Sequence, residues 1–590
     1  MCGICGELRF DTKEVSRESI SKMLPSMKTR GPDDSGIFMA ENLALGHTRL
    51  KIIDLSDNSH QPMKDNNLVI VFNGAIYNYR EIRCKLEGLG HKFFSDGDTE
   101  VILKSYRQWG ERCTTYFNGM FAFAIWNTEK RSLFLARDRF GIKPLYFAKT
   151  ENAFFFASNT KALLTLRDIN REINPIGLHF QFSLHGVIPA PNTILKGINK
   201  LLPGHQMTIN ENTEEVISYY WSLDITSPLK NLSDKDWKDE IRYLLLQSIK
   251  RRNTASDVPV GLLLSGGLDS SLLVALSSEA GNNDLNTFSV GFEDHPEEKG
   301  NEFEFSDLIA NKFSTLHHKF LISNNEVLNR LPEAVDAMSE PMFGQDAVAF
   351  FLLSEQVSQD IKVVQSGQGA DEVFGGYFWY MQMMKEKQGS RIERFQKYYF
   401  DRDHNELKEM LTDGLVSENY TEKFIENKLG QTSESFIDAV LNLDITTLIV
   451  DDPIKRVDNM TMAFGLEARM PYMDYELVEF VSKCPNSIRI GQNGKSILKE
   501  IARGILPDKI IDRPKGYFPV PALKYVRGNF LDFMRDMVNS ESCKERGLYK
   551  NKYIDMLLDA PELHHTRIMG SKLWQVALLE FWFQRNIDLI

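Results

Sequence analysis

A cysteine at position 2 and the run Ser265-Gly266-Gly267-Leu268-Asp269-Ser270-Ser271 are the two places in this 590-residue chain where residue type and spacing could do chemistry. Removal of Met1, expected before a small residue, puts a thiol and a free α-amine on the same residue. The amine has an unperturbed pKa of roughly 8 and can serve as general base for the thiol, directly or through water. Nucleophile and base are then present without a histidine. In the second run, an apolar segment over 258–264 reads as a buried strand, breaks at two glycines and enters a helix-compatible segment over 270–276. Strand, glycine turn and helix start together bind anions, because helix N-terminal N–H groups point outward unpaired and the helix dipole adds partial positive charge. Asp269 stands at the mouth, where a carboxylate can hold a magnesium ion against phosphates. The run is not a Walker A loop, which requires a lysine that is absent.

The elements around these residues change character along the chain. Short alternating strands separated by Gly, Asn and Asp turns dominate the first third, which predicts layered antiparallel β structure with some helix. Over 165–235, Pro189, Pro191 and Pro203 interrupt regular structure, and the stretch reads as a connection. From Trp237 onward, long amphipathic helices alternate with short apolar strands such as 285–292 and 361–367, which predicts a parallel sheet covered on both faces. Such sheets bind ligands at the carboxyl ends of their strands. Three strand ends then share one site: the loop at 265–271, the SVGF at 289–292 and SGQGADEVFGGY at 366–377.

Composition bounds the rest. Acidic residues outnumber basic ones by 81 to 69, a net charge of −12, and no Lys/Arg block stands out, so a nucleic-acid partner is not expected. No apolar stretch has membrane-spanning length, and the charges of Glu7, Arg9 and Asp11 exclude a secretory signal; a cytoplasmic location is the expectation. Six cysteines are too few for a disulfide scaffold. Cys84, Cys113, Cys484 and Cys543 read as packing residues. Cys2 and Cys5 form a CxxC, but no second pair completes a zinc site.

Several segments carry a family resemblance. KTRGPDDSG (28–36), GHTRLKIIDLS (46–56), VFNGAIYNYRE (71–81), SDGDTEVI (95–102), NGMFAFAIWN (118–127) and ARDRFGIKPLYF (136–147) resemble, in order and spacing, the class II glutamine amidotransferase domain, an N-terminal-nucleophile hydrolase. SGGLDSS, GADE, VDNMTMAFGLEARMPYMD (457–474) and the stretch over 494–521 resemble the PP-loop half of the asparagine synthetase family. The resemblance implies an α+β glutaminase domain of layered antiparallel sheets with helices at 1–215, then an α/β parallel-sheet synthetase domain at 236–590. It implies that Cys2 is the nucleophile, with Asn73 and the Gly74 N–H as oxyanion hole, and that Arg49 grips the glutamine α-carboxylate while Asp98 holds its α-amine. Leu50, Ile52, Ile53 and Ala75 complete the glutamine site by the same resemblance. In the other half it assigns ATP contacts to Leu264, Ser265, Gly266, Gly267, Asp269, Ser270, Val290, Ser366 and Gly367. Asp269 and Asp371 would hold Mg²⁺, and Lys495 would lie near the adenylate as a catalytic residue. A homodimer is a family-level expectation, and a protected passage between the two sites is expected because ammonia released into water at neutral pH would be protonated and lost.

Two departures bear on substrate. Ala75 stands where the family often has glutamate after Asn-Gly. Gln368 stands where asparagine-forming members have a glutamate able to accept a proton from ammonia, which glutamine cannot do. SEPMFGQDAVAFFLLSE (339–355), GQGADEVFGGY (367–377) and RPKGYFPVPALKY (513–525) resemble instead N-acetylglutaminylglutamine amidotransferase, which amidates the C-terminal carboxylate of an acetylated dipeptide to make an osmoprotectant. That acceptor is the favoured expectation, with aspartate next. A glutaminase with a lapsed synthetase half is disfavoured because SGGLDSS and GADE are intact. A β-lactam-forming relative has no need of Cys2, Arg49, Asn73 and Asp98, and a non-enzymatic binding module explains none of these groups.

Overall fold

The computed structural model describes residues 2–11, 13–225, 232–281, 284–294, 299–430, 435–513 and 526–589. Most of the RPKGYFPVPALKY stretch, 514–525, lies outside them.

The N-terminal part is a sandwich of two six-stranded sheets. One runs in the order 199–200, 146–149, 153–157, 3–9, 43–49, 34–39, and the other 215–219, 205–210, 132–137, 119–127, 68–76, 63–65. Every strand pair in them is antiparallel. The strand Leu68–Ile76 shows why the layers form. Val69 and Val71 point into the core between the sheets with Ile4, Leu45 and Ala124, while Leu68, Ile70 and Phe72 pack outward against a second cluster that includes Ile102. Alternate side chains leave opposite faces of a strand, so an unbroken apolar run is buried on both. Each such valine or isoleucine contributes about 1.5–3 kcal/mol on burial. Helix Arg17–Met23 packs on the first sheet and helix Asp98–Trp109 on the second.

The stretch 165–235 is more than a connection. It contains helix Pro175–Ser183 and strands His205–Asn210 and Glu215–Tyr219, which extend the second sheet from Ser132–Arg137. Pro189, Pro191 and Pro203 lie outside these strands, where no ladder hydrogen bond is lost.

The C-terminal part is built on a five-stranded parallel sheet ordered Leu316–Ile322, Asn286–Phe292, Val260–Leu263, Val363–Gln365, Glu467–Arg469. The chain steps outward twice in one direction from Val260–Leu263, then returns to its other side for the last two strands. With right-handed crossovers, the intervening helices fall on opposite faces. Helices Leu268–Glu279 and Phe303–Lys312 pack together on one, and Asp346–Val357 packs on Lys455–Met462 on the other. Among the described residues no helix is long and apolar enough to cross a membrane.

Buried ions join the two parts. Arg30 Nη1 lies 2.9 Å and Lys143 Nζ 3.1 Å from Asp458, and Lys200 Nζ reaches Glu340 at 2.9 Å and Asp451 at 2.8 Å. Burial raises the Asp458 carboxyl, but Arg30 and Lys143 outweigh it and hold the group below its ordinary value.

Candidate active sites

Cys2 precedes strand Gly3–Arg9, whose neighbours fix its place. Its backbone N lies 3.2 Å from Asn73 Oδ1, and its carbonyl accepts from Arg30 Nε at 3.3 Å. With Oδ1 engaged by Cys2, the buried Asn73 Nδ2 has no partner among the described residues. Asn73 lies on the strand Leu68–Ile76, whose neighbour Met63–Asp65 pairs only with residues 68–70. The edge beyond is therefore open, and side chains cap it: Phe72 N–H donates to Gln61 Oε1 at 2.7 Å and Ile76 N–H to Asp98 Oδ2 at 3.0 Å. Gly74 lies midway at the two-residue period, so its N–H points the same way. At φ +154 and with Met120 O only 2.1 Å from where a Cβ would stand, that position admits only glycine.

Around the thiol lie Arg49, Leu50, Ile52, Ile53, Gly74, Ala75 and Asp98. Every residue assigned by sequence to the glutamine site, with Asn73 bonded to Cys2, is thus brought together. Arg49 donates from Nη1 to Ser56 O at 2.9 Å and from Nη2 to Asp54 O at 2.5 Å, which anchors the guanidinium on a loop. Burial pushes the Asp98 carboxyl up to about 7, against the N–H of Ile76. Burial also raises the Cys2 thiol, opposed by Leu50 N–H and Arg49 and reinforced by Glu467. His47 is no rival base: burial pushes it down to about 3, and Nε2 is engaged with Phe72 O at 3.1 Å. Cys5, the other half of the CxxC, is a buried free thiol pushed well above its ordinary value by burial. Cys84 is exposed, so it is not the packing residue expected.

Two further lining residues come from the other half of the molecule. Glu467 and Arg469, on the edge strand of the parallel sheet, both reach this pocket. Nothing local in the GLEARMPYMD stretch marks them as such, because their approach depends on how the two halves dock. The open space beside Cys2 is about 30 Å³, room for roughly one water.

The second site lies where the parallel sheet reverses its order. Val260–Leu263 and Val363–Gln365 are neighbours, so the loops leaving their carboxyl ends, 264–270 and 366–371, face each other. They line a cavity of about 570 Å³ with Leu264, Ser265, Gly267, Asp269, Ser270, Val290, Ser366, Gly367, Asp371 and Lys495. Gly266 stands behind the lining; at φ +77 its absent Cβ would lie 2.6 Å from Phe305 Cβ. Helix Leu268–Glu279 begins at the loop with no side-chain cap, leaving its first N–H groups directed at the cavity. Leu263, Phe288, Phe350 and Leu353 form an apolar part of the wall, and Gln368 lies in the lining beside Asp371.

Lys495 is the charge centre of this cavity. Its Nζ lies 2.5 Å from Asp269 Oδ2 and 2.7 Å from Asp371 Oδ1. Burial would lower its pKa, but the two carboxylates outweigh that and hold it well above the ordinary lysine range. Gly376 makes the approach possible, since a Cβ there would stand 2.1 Å from both Asp371 Oδ1 and Lys495 Cε. Two carboxylates converging on one point are the donors a hard cation takes, leaving its other positions to phosphate oxygens and water. Among the described residues no group of three or more His, Cys, Asp or Glu gathers for a metal, here or elsewhere, so a cation at this point would need oxygens from a bound nucleotide. Asp269 and Asp371 by themselves are a donor pair that fits Mg²⁺ only together with such a nucleotide.

Residues 240–584 match the family model described as asparagine synthase, and residues 1–221 match the glutamine amidotransferase domain. The chain belongs to the asparagine synthetase family. Asparagine synthetase (glutamine-hydrolysing) 1 of Bacillus subtilis is 31% identical, over 100% of this chain and 97% of its own length. A second B. subtilis relative, asparagine synthetase (glutamine-hydrolysing) 3, is 30% identical over 95% of this chain and 93% of its own. A putative asparagine synthetase (glutamine-hydrolysing) 2 of Methanocaldococcus jannaschii is 37% identical over 65% of this chain and 76% of its own. As a member of this family the chain is an ATP-using amide ligase with a glutamine amidotransferase domain.

Proposed function

We propose that Cys2, as the first residue of the mature chain, attacks the side-chain amide of glutamine, and that the ammonia released converts an adenylylated carboxylate to an amide. The α-amine takes the thiol proton and returns it to the leaving ammonia; water then releases glutamate from the thioester. Asn73 Nδ2 and Gly74 N–H are the donors for the tetrahedral oxyanion, a role that fits the unpartnered Nδ2. Arg49 and Asp98 take the α-carboxylate and α-ammonium of glutamine. In the second cavity the acceptor carboxylate attacks the α-phosphorus of ATP and pyrophosphate leaves. Ammonia then displaces AMP from the acyl-adenylate. The N–H groups of the 265–270 loop bind the leaving phosphates, and Lys495 balances their charge. Mg²⁺, held by Asp269 and Asp371, would supply further neutralisation of the pyrophosphate.

The observation that carries this reading is the coexistence of the Cys2–Asn73–Gly74 pocket with the Lys495–Asp269–Asp371 cavity in one docked chain. For the acceptor we favour the C-terminal carboxylate of N-acetylglutaminylglutamine. Gln368 in the cavity wall supports it, because it withholds the proton acceptor expected of an aspartate-amidating site. Aspartate is the second reading, favoured by the names of the relatives. The test is ATP-dependent pyrophosphate release with glutamine, comparing the two acceptors, with product mass read for conversion of carboxylate to amide. Amidation of the dipeptide alone supports the first reading; asparagine formation replaces it with the second. Glutamine hydrolysis with neither acceptor turned over points to a third carboxylate or to a lapsed ligase half.

A further inference from the structure

The glutamine pocket is completed by a side chain from the ligase half. Arg469 is fully buried and lines the pocket with Cys2, Arg49 and Asp98. Two of its nitrogens are engaged: Nε lies 2.5 Å from Glu467 Oε1, and Nη1 donates to the carbonyl of Arg252. Nη2 has no partner among the described residues. A buried cationic N–H left without an acceptor is costly, by more than a neutral donor would be. Such a donor at a substrate pocket is an unfilled valence for the substrate.

The position of this donor is set by the ATP side of the molecule. Arg469 pairs with Gln365 on the neighbouring parallel strand, and Ser366 donates its N–H to the Arg469 carbonyl at 2.8 Å. Ser366 and Gly367 line the nucleotide cavity. One residue therefore offers its side chain to the glutamine pocket and its main chain to the loop that binds ATP.

We propose that Arg469 is a glutamine-positioning residue, its Nη2 donating to an oxygen of glutamine bound beside Cys2, so that the ligase half supplies part of the glutaminase site. This rests on the glutaminase reading given above. Lysine at this position keeps the charge against Glu467 but cannot serve three acceptors in a planar fork.

The test is glutamate release from glutamine by the full chain, with ATP affinity measured by calorimetry on the same preparations, for wild type, Arg469→Lys and Arg469→Gln. Expected is a rise in KM for glutamine of about tenfold or more in both variants, the scale of one lost charge-assisted hydrogen bond. The kcat should stay within about threefold, since Cys2, Asn73 and Gly74 are untouched, and ATP affinity within about twofold. The ATP measurement separates positioning from collapse, because a disrupted strand 467–469 would also release Ser366. An unchanged KM overturns the proposal, as does a joint loss of kcat, KM and ATP affinity in both variants. A wild type that releases no glutamate overturns it together with the glutaminase reading, which distinguishes the two failures.

Discussion

Lys495 Nζ stands 2.5 Å from Asp269 Oδ2, in the place where a cation held by Asp269 and Asp371 would also have to stand. The ammonium neutralises the two carboxylates in this structure, and on the reading proposed above it would share them with a metal once nucleotide binds. Lys495→Gln removes the competitor, and the affinity for Mg²⁺ without nucleotide, read by calorimetry, is expected to rise about tenfold. Pyrophosphate release should fall by about a hundredfold or more in the same variant, with glutamate release kept.

Asn73→Ala is the complementary variant. Loss of one oxyanion donor costs on the order of a hundred- to a thousandfold in kcat. Glutamate release should drop by that factor, while amide formation driven by added ammonium chloride stays within about twofold of wild type. A parallel fall in both would show that Asn73 holds the two halves in place rather than stabilising an intermediate.

With Asp98 as the partner of the glutamine α-ammonium, as proposed above, glutamine binding should depend on pH. Burial puts its carboxyl at about 7, and only the carboxylate can pair with the α-ammonium of glutamine. KM for glutamine should therefore rise as pH falls below about 7, by about tenfold per unit at the limit, and the step should vanish in Asp98→Asn. The stability sign is opposite to that of a salt-bridged acid. A carboxyl raised in the folded state binds its proton there more tightly than when unfolded, so its contribution worsens as pH rises from the ordinary carboxylate range through about 7. Asp98→Asn should accordingly raise the melting temperature at pH 8 and leave it nearly unchanged at pH 4.

Asp458 holds the halves together with Arg30 and Lys143, all three almost fully buried. Asp458→Ala leaves two buried cations facing each other, and a loss of about 3–5 kcal/mol is expected in denaturant unfolding. Arg30 also donates to the Cys2 carbonyl, so glutamate release should fall further in Asp458→Ala than in a surface variant of equal stability.

Much of this molecule is written in local sequence. The alternating runs of the first third predict the antiparallel sandwich, because a strand buried on one or both faces needs that pattern. The apolar run ending in Ser265-Gly266-Gly267 predicts a parallel strand, a tight turn at positive φ and an uncapped helix start, and each follows from what glycine and a helix N-terminus can do. Cys2 was legible from its type and its place behind Met1, and Arg49, Asn73 and Asp98 through the family resemblance of their segments, although more than 90 residues separate the first from the last. The proline-rich stretch before the second half misled, since two of its strands complete a sheet begun far earlier in the chain.

What only the tertiary structure decided is which groups from the two halves meet. Glu467 and Arg469 carry no local sign of belonging to a glutamine site. They reach it because the edge strand of the parallel sheet comes to the pocket beside Cys2, and Arg30, Lys143 and Asp458 bury their charges where the two parts meet. Lys495 is marked in sequence only by the family resemblance of the stretch over 494–521. Its place between Asp269 and Asp371 depends on a glycine at 376 and on three loops converging at a reversal of strand order. Backbone conformation and side-chain periodicity are local properties and can be read along the chain. Contacts between distant segments depend on docking surfaces that no short window contains.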